Sequence, residues 1–357
     1  MALPDYAVPA AASAAVVLVL TPPAIKALQS RGILDRPGAR SSHSTPTPRG
    51  AGLITGLSLA VALTIGFDRF RLSLAAVALL GTALGSLEDF HGIGVVPRLV
   101  AQIAIGAIFL ALTWGLGAAP AWPLAIALIV FIAGYTNAFN FMDGVNGISA
   151  ATVAVTGGTF IAIGGLQSLA NLVVIGVVLV VVAVCFLPFN FPRARVFLGD
   201  SGSYSFGAVI ACAAVGAWRS GIPADALLAP LAIYLADTAT VILARTARRK
   251  PLVAAHSEHA FQRLVQLGFS HAQSTGVVFL GSSATAILGI AALSSKTPQR
   301  LTFDGLIVGV VVLYLSLPTV LEWHQRKQQS AVASPASSTS PRSELMWRND
   351  DDRHSKE

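Results

Sequence analysis

Charged residues are scarce in this chain, and cysteine is nearly absent. Asp, Glu, Lys and Arg make up 11% of the 357 residues, whereas hydrophobic residues make up 54% and the mean hydropathy is +0.69. A soluble domain of this size needs a more polar surface, so the chain is predicted to be an integral membrane protein. The two cysteines, Cys185 and Cys212, lie within apolar runs, which argues against a disulfide framework or a thiolate metal site.

Long apolar runs dominate the sequence and predict an all-α polytopic membrane fold. Windows of about 17 to 25 apolar residues indicate about 11 transmembrane helices, or 10 if one of the short runs at 71–87 and 203–217 does not span. The first run is interpreted as a retained helix because nothing basic precedes it. The predicted spans are 6–24, 50–67, 71–87, 99–117, 121–139, 148–166, 171–187, 203–217, 225–245, 276–295 and 303–322.

The composition changes near the carboxyl end of the chain. After Trp323 the sequence is rich in Ser, Pro and charged residues, a composition that cannot bury a core. We therefore predict a transmembrane domain over residues 1–325 and a disordered tail over residues 326–357.

Positive charge is distributed unevenly over the predicted loops. The net charge of +7 could suggest a nucleic-acid partner, but basic residues of a multispan protein gather in its cytoplasmic loops. The distribution predicts an outside amino terminus, a cytoplasmic carboxyl terminus and no nucleic-acid partner. The basic residues in the outer loops are Arg69, Arg71, Arg219, Lys296 and Arg300.

Five polar islands separate the apolar runs, and the predicted orientation puts all of them on the cytoplasmic face. Polar groups in such density are costly beside lipid, so a functional role is considered ahead of a structural one. Function is therefore predicted at the cytoplasmic surface. The islands span residues 35–52, 88–98, 137–147, 189–203 and 245–263.

Two of the islands display carboxylates and amides. Glu88 and Asp89 are adjacent acids that could share a hard cation or provide a base, with a solvated helix end as the alternative. Asn140 and Asp143 precede Asn146, a composition typical of a tight turn at a helix end. Two asparagines and an acid exceed what a turn requires, which favours a functional site.

The other three islands offer phosphate-binding groups. The loop 35–52 is basic and rich in hydroxyls, which suits a phosphate, although it could serve only membrane topology. Asp200 follows Phe197 in a Gly-Asp-Ser-Gly sequence, where the acid could bind a metal or begin a helix. His256 and His259 are weak evidence for a transition metal, and a phosphate-contacting loop is favoured. Together these groups predict a magnesium-bound phosphate or pyrophosphate and phosphoryl transfer to a lipid-soluble acceptor.

In this order, the five islands resemble the polyprenyl-phosphate N-acetylhexosamine-1-phosphate transferases, which form glycosyltransferase family 4 with the phospho-MurNAc-pentapeptide transferases. The resemblance covers about residues 1–325. It implies transfer of a sugar 1-phosphate from a UDP-N-acetylhexosamine to undecaprenyl phosphate, with UMP as the second product. It also implies Mg²⁺ or Mn²⁺ as cofactor and a place in the bacterial cytoplasmic membrane, and it leaves a homodimer open.

The resemblance also implies a role for each matching residue. Asp200 would bind the metal, Asp89 with Glu88 would orient or deprotonate the lipid phosphate, and Asp143 would complete the catalytic acids. Phe197 would stack on uracil, and the histidines would hold phosphate oxygens. The implied substrate-binding residues are His43, Asn137, Asn140, Asn146, Asn190, Phe197, His256 and His259.

Three departures from the family pattern qualify this expectation. Glu88 stands where the family usually has Asp, and Asn146 stands where it usually has a second acid of the turn. The usual His-x-His-His cluster is reduced to His259-Ala-Phe-Gln262, which resembles the branch that initiates O-antigen and related surface polysaccharides. Donors of that branch include UDP-N-acetylglucosamine and its 6-deoxy relatives, between which the sequence does not choose.

Two other classes of protein are alternatives to the enzyme. A secondary transporter would fit the number of spans, but transporters place ionisable residues near the bilayer midplane, whereas here they gather at one face. A non-catalytic lipid-binding homologue is the second alternative, because Glu88 departs from the family pattern.

Overall fold

The computed structural model describes residues 5–36, 45–114, 120–250 and 258–333, and helices make up most of them. Each apolar run forms a helix because, in lipid, the backbone must satisfy its hydrogen bonds within the segment. All eleven predicted spans overlap helical segments of the described residues. The helices are α1 Ala7–Ser30, α2 Gly52–Thr64, α3 Arg69–His91, α4 Val95–Trp114, α5 Trp122–Met142, α6 Ile148–Leu166, α7 Ala170–Asn190, α8 Gly199–Arg219, α9 Ala224–Leu228, a 3₁₀ turn Ala229–Leu231, α10 Ala232–Ala247, α11 Ala260–Gln266, α12 His271–Leu293 and α13 Thr297–Ala333.

Nine helical segments of the described residues are long and apolar enough to cross a membrane, with α9, the 3₁₀ turn and α10 counted as one. The all-α polytopic membrane fold is therefore confirmed. The predicted spans 50–67 and 203–217 are the two that do not reach this standard. Helix α2 has only 13 residues, and α8 begins with the polar sequence GDSGSYS.

Helix α8 lies at the centre of the bundle and is buried almost along its whole length. It packs against α2, α3 and α5 through small residues. A Cβ atom added at Gly52 would lie 1.9 Å from the backbone nitrogen of Gly202, and one at Gly85 would lie 2.1 Å from the carbonyl oxygen of Asp200. Because glycine lets helix backbones approach this closely, the first turn of α8 is wedged between α2 and α3.

A short antiparallel pair of strands joins the ends of the first loop. Strand β1 (Leu34–Asp35) pairs with β2 (Thr47–Pro48), with Leu34 opposite Pro48 and Asp35 opposite Thr47. The backbone then runs beside residues 197–198, where Phe197 N donates to Pro48 O and Gly52 N donates to Leu198 O, both at 2.8 Å. These hydrogen bonds join the end of the first loop to the residues that precede α8.

The carboxyl end of the described chain is helical. Residues up to Pro318 form one compact unit, and the chain from Thr319 onward is a second unit. Helix α13 continues to Ala333, so the part of the predicted disordered tail at 326–333 is helix. The rest of that predicted tail lies outside the described residues.

Candidate active site

The polar island at 88–98 contributes no lining residue, but residues from the other four islands line a single cavity at one end of the bundle. Its volume is about 300 Å³, which is at the lower end of ordinary ligand sites. The cavity lies where α5 and α7 end and where α8 begins. The lining residues are Asp35, Arg49, Asn140, Asp143, Gly144, Val145, Asn146, Asn190, Phe197, Leu198, Gly199, Asp200 and Gln262.

Asp89 ties the end of α3 to the start of α8. Its side chain is fully buried (0% exposed), and its Oδ1 accepts from the backbone nitrogen of Asp200 at 2.9 Å, while Oδ2 accepts from that of Ser201 at 3.0 Å. The first backbone N–H groups of a helix lack partners inside the helix and favour a nearby negative charge. The Asp89 carboxylate supplies the hydrogen-bond acceptors and the negative charge, and it thereby fixes the position of Asp200.

Arg49 joins two carboxylates that come from different helices. Its Nε donates to Asp89 Oδ1 at 2.9 Å, and its Nη2 donates to Asp200 Oδ1, also at 2.9 Å. The side chain is 37% exposed, so it faces the cavity while it holds both acids. A guanidinium group has five N–H donors, so Arg49 has donors beyond these two bonds for an anion in the cavity.

Asn140 brings the end of α5 into the same cluster. Its Nδ2 donates to Asp200 Oδ1 at 2.8 Å and to Ser203 Oγ at 2.9 Å. Because Asp200 Oδ1 receives bonds from both Asn140 and Arg49, its orientation is set by α5 and by the first loop together.

Asp143 occupies the turn after α5 and accepts a hydrogen bond from Ser149 Oγ at 2.6 Å. The pKa of Asp143 is raised from 3.8 to about 7, mainly by burial and also by the negative charge of Asp200, while the hydrogen bond from Ser149 lowers it. A buried carboxyl whose pKa is near 7 can take up or release a proton at neutral pH, and such groups cluster at functional sites.

The turn that carries Asp143 is held to the loop before α8. Gly147 has a φ of +81°, and its N–H donates to Asn190 Oδ1 at 2.7 Å. Asn190 Nδ2 donates to Val196 O at 3.0 Å, and Asn146 Nδ2 donates to Pro192 O at 3.0 Å. Asn146 and Asn190 therefore line the cavity as members of its scaffold.

The structure separates the two adjacent acids that the sequence paired. Glu88 turns away from Asp89, accepting from the backbone nitrogen of Ile93 at 2.7 Å and from Arg98 Nη1 at 2.9 Å. Neither Glu88 nor Asp89 lines the cavity. In this arrangement the two carboxylates bind different donors, and the catalytic role of Glu88 and Asp89 stays a prediction.

Two predicted substrate-binding residues lie away from the cavity. Asn137 donates to Gln102 and to the carbonyl oxygen of Ala133. His259 is buried, and its Nδ1 lies 3.1 Å from Asp237 Oδ1. Neither Asn137 nor His259 lines the cavity, and direct contact of these two residues with the substrate stays a prediction. The predicted residues His43 and His256 lie outside the described residues.

The cavity also contains residues that the sequence prediction did not name individually as site residues. Arg49, Gln262 and Asp35 all line it. Arg49 could have been selected as the charged residue within Thr-Pro-Thr-Pro-Arg-Gly, beside the hydroxyls and glycines that indicated phosphate binding. Nothing in the sequence was a reason to select Gln262 other than its position in the His259-Ala-Phe-Gln262 segment of the fifth island.

The donor set fits a magnesium ion. Mg²⁺ is commonly held by one or two carboxylates together with substrate phosphates and water, and Asp143 and Asp200 face the same cavity. The described residues contain no group of three His, Cys, Asp or Glu that would form an all-protein metal cage. Asp200 already pairs with one positive charge, the guanidinium of Arg49.

Comparison with known proteins shows which family the chain resembles. The profile of glycosyl transferase family 4 matches residues 71–217, a range that includes Asp89, Asp143, Phe197 and Asp200. This match bears out the predicted resemblance to glycosyl transferase family 4. The predicted enzyme class, a sugar-1-phosphate transferase, is confirmed.

Three curated relatives show what the chain is similar to over most or about half of its length. A probable undecaprenyl-phosphate N-acetylglucosaminyl 1-phosphate transferase of Bacillus subtilis is 28% identical, over 84% of this chain and 87% of the relative. A decaprenyl-phosphate N-acetylglucosaminephosphotransferase of Mycobacterium tuberculosis is 28% identical, over 75% and 78%. A phospho-N-acetylmuramoyl-pentapeptide-transferase of a Synechococcus species is 29% identical, over 53% and 62%.

Proposed function

We propose that the protein transfers an N-acetylhexosamine 1-phosphate from a UDP-sugar to undecaprenyl phosphate, with release of UMP. The observation that carries the proposal is the single cavity in which Asp143, Asp200, Asn140, Arg49 and Phe197 meet. It combines acids for a cation, a guanidinium for phosphate and a ring for a base, which together suit a nucleotide diphosphate sugar.

The relatives support the two substrates. The Bacillus subtilis relative is named for undecaprenyl phosphate and N-acetylglucosamine, and the mycobacterial relative for decaprenyl phosphate and the same sugar. UDP-N-acetylglucosamine is therefore the first donor to test, ahead of its 6-deoxy relatives. The product would begin a lipid-linked surface glycan such as an O-antigen.

In the proposed reaction an oxygen of the lipid phosphate attacks the β-phosphorus of the UDP-sugar. A new P–O bond forms, the bond from that phosphorus to the bridging oxygen breaks, and UMP leaves with the bonding electron pair. Phosphoryl transfer depends mainly on positioning and on stabilisation of charge. Arg49 would hold phosphate oxygens, and Asp89 would keep Arg49 and Asp200 in place through the bonds described above.

Asp200 and Asp143 would hold the Mg²⁺ ion, with Mn²⁺ as a substitute. When bound, the ion would neutralise charge on the donor pyrophosphate as UMP departs. Asn140 would contribute by orienting Asp200, since its Nδ2 donates to the same carboxylate.

The direct test measures UMP release by purified protein in detergent, with UDP-N-acetylglucosamine, undecaprenyl phosphate and Mg²⁺. The wild type should form a lipid pyrophosphate-linked sugar, and Asp200→Asn should lower the rate by roughly 10²-fold or more, as loss of a key charge-stabilising group does. A well-folded wild type that turns over no UDP-N-acetylhexosamine would refute the proposal.

We also propose that the cavity faces the cytoplasm of a bacterial inner membrane. The charge distribution supports this orientation. Helix α8 begins at the cavity and ends at Arg219, so Ser220 lies at the opposite end from the cavity, while α10 runs back and ends near Arg248. An impermeant thiol reagent added outside intact cells should label Ser220→Cys and spare Arg248→Cys. The reverse pattern would place the site outside.

A further inference from the structure

A buried acid outside the cavity holds the segment that carries Gln262. Asp237 lies in α10 and is 1% exposed. Its Oδ1 meets His259 Nδ1 at 3.1 Å, its Oδ2 accepts from Tyr314 Oη at 2.7 Å, and both oxygens lie 3.1 to 3.2 Å from the backbone nitrogen of Ala260. One carboxylate thus joins α10, α11 and α13.

These bonds determine where α11 begins. Ala260 is the first residue of α11, and His259 caps that helix. Buried carboxylates are retained when hydrogen bonds satisfy them, and loss of one leaves buried donors without partners. Asp237 therefore anchors the start of α11 in a position that Tyr314 also supports.

Helix α11 then presents Gln262 to the cavity. Gln262 Oε1 accepts from the backbone nitrogen of His259 at 3.3 Å, so the amide oxygen is engaged in the cap of the helix. The amide nitrogen faces the other way, 3.6 Å from the position that a Cβ atom on Gly144 would take. Phe261 packs below the same glycine, 2.9 Å from that position. The side chain thus presents a neutral N–H donor beside the turn that carries Asp143.

We propose that Gln262 donates a hydrogen bond to the sugar nucleotide and that Asp237, with His259 and Tyr314, positions it. The inference rests on the proposed function, because it takes the sugar nucleotide as the occupant of the cavity. A neutral amide suits an uncharged carbonyl acceptor of that substrate, while Arg49 serves the charged phosphates. Gln262 is a binding residue, and the other three act only through its placement.

The first experiment changes the amide alone. Gln262→Met retains the length of the side chain and removes the donor, and it should raise KM for the UDP-sugar about 3- to 10-fold, as loss of one neutral hydrogen bond does. The kcat and the KM for undecaprenyl phosphate should stay within about twofold. An unchanged KM for the UDP-sugar would overturn the role of Gln262.

The second experiment tests whether Asp237 acts through Gln262. Asp237→Asn and the milder Tyr314→Phe should raise the same KM in the wild-type background and should add nothing in the Gln262→Met background, because residues that act as a unit are not additive. Tyr314→Phe preserves the carboxylate, so it gives an answer even if Asp237→Asn fails to fold. Independent, additive effects of Tyr314→Phe on KM, or an effect on kcat alone, would overturn the positioning role.

A matched control separates positioning from general loosening of the bundle. Tyr135 is another fully buried tyrosine, and its hydroxyl has no hydrogen-bond partner among the described residues. Tyr135→Phe should leave KM for the UDP-sugar unchanged. Wild-type UMP release in the same assay tests the proposed function separately, since it does not depend on any of these variants. A rise in KM with Tyr135→Phe equal to that with Tyr314→Phe would reject a specific role for the Asp237 cluster.

Discussion

Replacement of Gly199 by alanine should disable the enzyme through Asp89, a residue that the replacement does not change. Gly199 has a φ of +76°, and a Cβ atom there would lie 2.6 Å from Asp89 Oδ2 and 2.9 Å from Oδ1. Ordinary carbon–oxygen contacts need more than 3 Å, so the carboxylate must move by about 0.5 to 1 Å. That motion would weaken its bonds to Arg49 and to the first turn of α8.

The size of the effect follows from two separate contributions. Alanine in the left-handed region costs about 1 to 2 kcal/mol of stability. Misplacement of an active-site group by about 1 Å can lower the rate by about 10²-fold. We therefore expect Gly199→Ala to fold with a slightly lower Tm and to have a kcat lower by roughly 10- to 100-fold.

Gly92 provides the matched control for this prediction. It also has a positive φ, of +66°, but a Cβ atom there would meet nothing within 4 Å. Gly92→Ala should show a similar loss of Tm and should retain its rate of UMP release. If Gly199→Ala were as active as Gly92→Ala, the contact with Asp89 would have no catalytic consequence and our account of that residue would be wrong.

Three further predictions concern the charges of the cavity. Arg49→Lys retains the charge but cannot bridge Asp89 and Asp200 with the same planar geometry, so kcat/KM should fall at least about tenfold. Chelation of divalent cations should abolish UMP release, and Mg²⁺ or Mn²⁺ should restore it; activity that survives chelation would exclude the proposed cofactor. Asp143 has a pKa of about 7 in the folded protein and 3.8 as its usual value, so its contribution favours the folded state at low pH and is lost as the pH rises through about 7. Ser149→Ala removes a bond that lowers this pKa, so the cation-free protein should show that loss of stability at higher pH; an unchanged or lower midpoint would contradict the assignment.

Membrane class and helix content could be predicted from the sequence because they depend on local composition. Apolar runs of sufficient length form helices in lipid whatever their neighbours are. The predicted ends of these helices were less accurate than their positions. The apolar span of α8 was predicted from residue 203, with Asp200 as a possible helix start, and the helix begins at Gly199, where Asp89 accepts from its first N–H groups across the bundle. The residues around position 199 do not indicate that Asp89, more than 100 residues earlier in the chain, is their hydrogen-bond partner.

The candidate site was predictable as a set of islands and only partly as a set of contacts. Asn140, Asp143 and Phe197, which the sequence analysis named, line the cavity together with Asp200, and their roles there stay predictions. Glu88, Asn137 and His259 do not line it, although their sequence patterns were equally suggestive. Each of these three side chains is bound by a residue from another helix, and a sequence motif does not reveal such a partner.

The sequence by itself thus determined the membrane class, the order of the helices and the five polar islands, since hydropathy and charge act along the chain. Only the tertiary structure decided which polar groups face the cavity. Helix packing brings Arg49, 40 residues before Asp89 and 151 before Asp200, into contact with both acids. It also gives Gln262 a place on the wall through Asp237. Direction and distance between side chains arise from packing in three dimensions, and local composition does not encode them.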